Sequence, residues 1–66
     1  MPHDVGQGRL EKAIADASIE NLLSSAEYRV KKALERWKDP ADLAIAIADV
    51  GYARLYLNEV MRRVGP

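Results

Sequence analysis

The stretch from Pro40 to Val64, PADLAIAIADVGYARLYLNEVMRRV, sets apolar side chains on two sides of what can only be one helix. At about 100° per residue, Leu43, Ala46, Ile47, Val50, Ala53, Leu57, Val60, Met61 and Val64 gather on one face, the pattern of an amphipathic helix that seeks a core. Ile45, Ala48, Tyr52, Leu55 and Tyr56 form a second apolar patch on the other side, confined to the first two-thirds of the helix. A small chain cannot leave both faces in water without cost. The first is therefore expected to pack inside the chain and the second against another molecule.

Size sharpens that expectation. With 66 residues the chain forms one domain at most, in the range where a single core leaves little net stability and oligomerisation is the usual remedy. It has no cysteine, so disulfides and thiolate metal sites are excluded. Ten basic residues balance ten acidic ones, and no net field draws the molecule toward phosphate or acidic lipid, which disfavours a nucleic-acid partner. The densest apolar run, Leu43 to Val50, is broken by Asp49 and is far shorter than the ~20 residues that span a bilayer. The opening MPHDVGQG lacks the apolar stretch of a secretory signal, so the cytoplasm is the expected location. Abundant alanine with scarce glutamine suits a thermophilic source.

Two further helices are expected upstream. Met1 to Gly8 holds two glycines, a proline and no periodic pattern, and reads as a flexible lead-in carrying the single histidine, His3, as a solvated side chain. Copper chelation by His3 would need an ionisable amide at residue two, which Pro2 lacks. Leu10, Ala13, Ile14 and Ala17 make the stripe of a short helix, from about Gly8 to Ala17. Ile19, Leu22, Leu23, Ala26, Val30, Ala33, Leu34 and Trp37 make the stripe of a longer one. Drawn as a single unbroken helix, the two stripes lie about 180° apart. A break near Asp16 to Ser18, with Asp16 or Ser18 capping the new helix, removes the mismatch. The alternative is one continuous helix whose first turns touch a neighbouring subunit.

The opposite face carries Asn21, Ser24, Ser25, Tyr28, Lys31, Lys32 and Glu35, and Glu27 with Lys31 forms a supporting pair one turn apart. At Lys38-Asp39-Pro40-Ala41-Asp42 the chain is punctuated: Asp39 suits a cap, Pro40 the first helical position, and Asp42 the positive end of the helix dipole. So short a connection makes the two long helices, Ser18 to Lys38 and Pro40 to Val64, an antiparallel hairpin. Gly65 ends the last helix behind Arg62 and Arg63. The fold class expected is all-α, a long hairpin with a short N-terminal helix packed on it as a three-helix bundle.

Few residues carry chemistry. Asp42 and Asp49 share a side of the last helix but stand about 10 Å apart, too far to hold one metal, and no helix offers a histidine. Asp49 and Arg54 each interrupt or border an apolar stripe, so each must be paired or reach water; Arg54 is expected to meet Glu20 or Glu27 across the hairpin, or else to grip an anion. Tyr52 and Tyr56 have the spacing to stack bases, yet their neighbours Ile45, Ala48 and Leu55 are aliphatic, which suits interface anchors better. Gly51 and the surrounding alanines permit close helix approach. No nucleophile has a base beside it and no phosphate-binding loop is present, so neither catalysis nor a cofactor is expected.

The order Ala26-Glu27-Tyr28, Lys32-Ala33-Leu34, a short acidic turn, Ala46, Tyr52-Ala53, Leu57-Asn58 and a final Gly65 resembles small archaeal helical proteins grouped as a domain of unknown function, DUF three-five-seven. That family usually has aspartate where this chain has Asn58, and glycine near Leu55. The resemblance implies a tyrosine-bearing helical hairpin with an extra N-terminal helix, and no activity. The chain is also similar to HEPN-type helical domains, some of which cut RNA with an Arg and a His on a late helix. No histidine follows Arg54, Arg62 or Arg63, so that chemistry is not implied.

The functional expectation is a self-associating helical module, first of all a homodimer or otherwise bound to an unidentified protein, joined through Ile45, Ala48, Tyr52, Leu55 and Tyr56. The alternative is a bundle that binds a ligand or nucleic acid around Arg54, Tyr52 and Tyr56.

Overall fold

In the computed structural model, which describes residues 5–65, Ser18 decides where the first two helices part. Its backbone is extended and its hydroxyl accepts a hydrogen bond from the Asn21 amide at 3.1 Å, which satisfies one of the free donors of a new helix. Helix α1 (Val5–Asp16) ends before it and α2 (Ile19–Trp37) begins after it, so the break lies where the conflicting stripes require it. α1 begins at Val5, about one turn before the expected start near Gly8. The apolar stripe, the signal used to set that start, first appears at Leu10, and backbone hydrogen bonding continues the helix beyond it. His3 lies outside the described residues.

The second turn is held by Asp39, whose carboxylate accepts from the Ala41 amide at 3.0 Å with Pro40 in the following position. A single 3-10 turn, Pro40–Asp42, precedes α3 (Leu43–Val64). Asp42, at the start of α3, makes no side-chain cap bond. At the far end Gly65 takes φ 79°, a conformation that favours glycine, and its amide closes on the Met61 carbonyl at 3.0 Å.

Helices α2 and α3 form the expected antiparallel hairpin, and α1 lies against the later part of α3. Where the hairpin closes departs from expectation. Its fully buried residues are Leu22, Ala26 and Ala33 on α2, and Ala46, Asp49 and Ala53 on α3. They recur at alternating spacings of three and four, the seam of an antiparallel coiled coil, with half-buried Arg29 and Arg36 completing the row on α2 and half-buried Tyr56, Val60 and Arg63 continuing it on α3. Of the nine α3 residues expected to face the core, only Ala46 and Ala53 are buried and Val60 is half-buried; Leu43, Ile47, Val50, Leu57, Met61 and Val64 remain exposed. The cause is local. Alanine lets the two axes approach closely, and Asp49 can enter the seam because arginines meet it there, so α3 turns toward α2 along a line that runs between its two apolar faces.

The resulting body is thin, with extents of 35 × 35 × 18 Å, and its Cα radius of gyration is 13.2 Å. A compact domain of this length would have a radius of roughly 11 Å. Among the described residues no helix is long and apolar enough to cross a membrane.

Candidate functional site

Asp49 is 2% exposed, between the buried alanines Ala46 and Ala53 in the seam row of α3, and each of its oxygens accepts a hydrogen bond. Oδ1 accepts from Arg29 Nη1 at 2.9 Å and Oδ2 from Arg36 Nη1 at 2.7 Å. The two arginines stand two turns apart on α2, so the carboxylate sits about midway between them, level with Lys32 and Ala33. Burial pushes the Asp49 carboxyl upward, but the hydrogen bonds and charges of Arg29 and Arg36 outweigh it and hold the group below its ordinary range. Arg29 is correspondingly raised by its bond to Asp49, against desolvation, with a smaller contribution from Tyr56. Its guanidinium also lies over the Tyr52 ring, 4.5 Å from the centroid. Among the described residues no buried side-chain polar atom lacks a partner.

Asp49 is thus ion-paired, as expected of a charge on an apolar stripe, but not with the residue expected to share that role. Arg54 is exposed, and among the described residues it has no ion-pair partner; neither Glu20 nor Glu27 meets it, and Glu27 instead lies 4.0 Å from Lys31. Sequence reasoning did not pair Arg29 or Arg36 with Asp49, reading Arg36 only as positive charge at the carboxyl end of its helix. The signal was present in their seven-residue spacing, in one row with Leu22. Both Asp49 oxygens are engaged by arginines, and among the described residues no three metal-ligating side chains cluster.

A second polar cluster ties α1 to α3. Arg63 donates to the Ile14 carbonyl at 2.9 Å, to the Ala15 carbonyl at 3.0 Å and to that of Ala17, placing positive charge at the carboxyl end of α1. Glu59 receives Arg62 at 2.6 Å and Arg63 at 2.8 Å, and these hydrogen bonds, Arg62 first, lower its carboxyl to about 2. Beside this cluster an open groove of about 310 Å³ runs between α1 and α3, lined by Glu11, Ile14, Ala15, Leu55, Asn58, Glu59 and Arg62.

The five residues expected to form an interface are divided by this arrangement. Ile45, Ala48, Tyr52 and Leu55 are exposed, whereas Tyr56 is half-buried in the seam row. Leu55 lines the groove toward α1 and Tyr52 is partly covered by Arg29. The larger apolar surface lies on the other side of the hairpin. On α2, Leu23, Val30 and Trp37 each follow a seam position by one residue, as Leu43, Val50, Leu57 and Val64 do on α3. In an antiparallel pair, rows displaced in the same sense from the seam flank the same side, so these two rows form one continuous face. Leu34, Ile47 and Met61 widen it, and all ten side chains are exposed, from 38% at Leu43 to 66% at Val64.

No family model, curated protein or solved structure matches the chain.

Proposed function

We propose that the chain is a self-associating helical module whose role is to join subunits, with no catalytic activity of its own. One observation carries this reading. The hairpin fully buries five hydrophobic residues, four of them alanine, while fourteen large hydrophobic side chains stay exposed. Four alanines and a leucine remove too little apolar surface from water to offset the ordering of so many residues. Exposed apolar surface on this scale marks an interaction site. Association adds the missing burial and makes stability depend on concentration.

Solution mass by light scattering at two concentrations tests it. The expected result is a mass at least twice 7.4 kDa that falls on dilution, together with a melting temperature that falls in parallel. A folded species of 7.4 kDa at every concentration would overturn it.

A bundle that binds a ligand or nucleic acid around Arg54, Tyr52 and Tyr56 has less support. Arg29 occupies the Tyr52 face, Tyr56 is in the seam, and Arg54 projects on the apolar side away from both.

A further inference from the structure

We infer that the broad apolar face of the hairpin is covered by the same face of a second copy, with the two hairpins side by side in the same direction, turns at one end, as a four-helix bundle. The inference rests on the self-association proposed above and adds the surface, the partner and the orientation.

The orientation comes from charge. Three ionic residues stand in the outer rows of this face, Glu20 and Glu27 on α2 and Arg54 on α3; Glu20 lies in the first turn of α2, whereas Glu27 and Arg54 lie mid-face, with Leu34 one heptad beyond Glu27 and Ile47 and Met61 on either side of Arg54. The Asp49 bridges fix the register between the helices. Residue 49 lies level with residues 32 and 33, so counting back along antiparallel chains sets Glu27 level with Arg54, on opposite edges of the same face.

Two hairpins packed by this face about a two-fold axis have two ways to meet. An axis parallel to the helices stacks α2 of one copy on α3 of the other at unchanged level. Glu27 then meets Arg54 of the second copy at both edges. An axis across the helices stacks α2 on α2 and α3 on α3, and with the axis at this level it sets Glu27 against Glu27 and Arg54 against Arg54. Opposite charges at an interface margin select the first arrangement, and like charges count against the second.

The apolar rows agree. At the same register Leu23 falls within one to two residues of the level of Leu57, Val30 of that of Val50, and Trp37 of that of Leu43. Stacking two copies therefore produces layers of four side chains, the arrangement that fills a bundle core. Ten side chains at about half exposure present an area on the order of 800 Å² per partner, which is what a stable complex buries.

Charge reversal tests the proposal. E27R and R54E are each expected to weaken the dimer on the order of tenfold in sedimentation equilibrium, and the double reversal to restore it to within a few-fold of the original, with circular dichroism confirming helicity in all three. A nitroxide at Ala41→Cys, an exposed turn position that leaves the Asp39 cap in place, reads the orientation. With turns at one end, the two labels lie closer together than the helix length of about 33 Å; with turns at opposite ends, they lie at least that far apart. A dimer untouched by both reversals yet dissociated by Tyr52→Glu would overturn this surface and leave self-association standing. A dimer with widely separated labels would overturn the orientation. A folded monomer throughout would overturn both the proposed function and this inference.

Discussion

Arg36 and Asp49 meet at 2.7 Å across the hairpin, and with Arg29 at 2.9 Å on the other carboxylate oxygen they place an ionic bridge where the seam would otherwise be alanine. A buried charge with both oxygens satisfied specifies register more than it adds stability, because a slip of one turn in either direction carries the carboxylate away from one of its two arginines. Replacing both arginines (Arg29→Met with Arg36→Met) strands Asp49 at 2% exposure. Thermal denaturation is expected to show a drop on the order of 10 °C or more, larger than for either single replacement, and Asp49→Leu in the same background should recover part of it.

Acid should weaken the fold over a defined window. Asp49 and Glu59 are both held below their ordinary ranges by arginine partners, Glu59 at about 2. A carboxyl whose folded pKa is depressed contributes fully above its unfolded pKa and loses that contribution as pH falls through the folded one. Stability should therefore be level above about pH 5 and fall from there toward pH 2. Glu59→Gln should make that fall shallower, as measured by melting temperature against pH.

Arg63 holds α1 by its last carbonyls. Arg63→Met should release the short helix while the hairpin persists, so amide exchange in residues 10–16 is expected to accelerate while that around Ala33 and Ala46 changes little.

Ser18→Ala removes the cap at the α1–α2 junction and should cost about 1 kcal/mol in urea denaturation. Gly51→Ala should act in the opposite sense. An added Cβ at this position meets nothing within 4 Å, so the gain in helix propensity, about 0.5–1 kcal/mol, should appear undiminished.

The elements were legible in the sequence wherever a residue has a local task. Ser18, Asp39, Pro40 and Gly65 end or begin helices through their own side chains or backbone preferences, and each does so at the expected place. Packing was less legible. Hydrophobic periodicity weights the large residues, and on α3 these lie on two flanks, so the line between them, Ala46, Asp49, Ala53 and Tyr56, carried little signal. Asp49 was recognised as needing a partner, but Arg29 stayed hidden because the apolar stripe on α2 is marked by its neighbour Val30, and the row to which Arg29 belongs, three and four residues apart, is otherwise marked by small residues. Gly51, expected to permit close helix approach, faces open space within the subunit.

Because the two long helices meet largely through methyl groups, the usual survey by truncation to alanine would find Leu22 and the Asp49 bridge and pass over the rest of the contact that holds them together. Sensitivity should run the other way, toward added bulk: a leucine at position 26 or 53 would wedge the pair apart at a cost of about 1–3 kcal/mol. For a hairpin of this kind, the positions that matter most to its architecture are those at which nothing is left to remove.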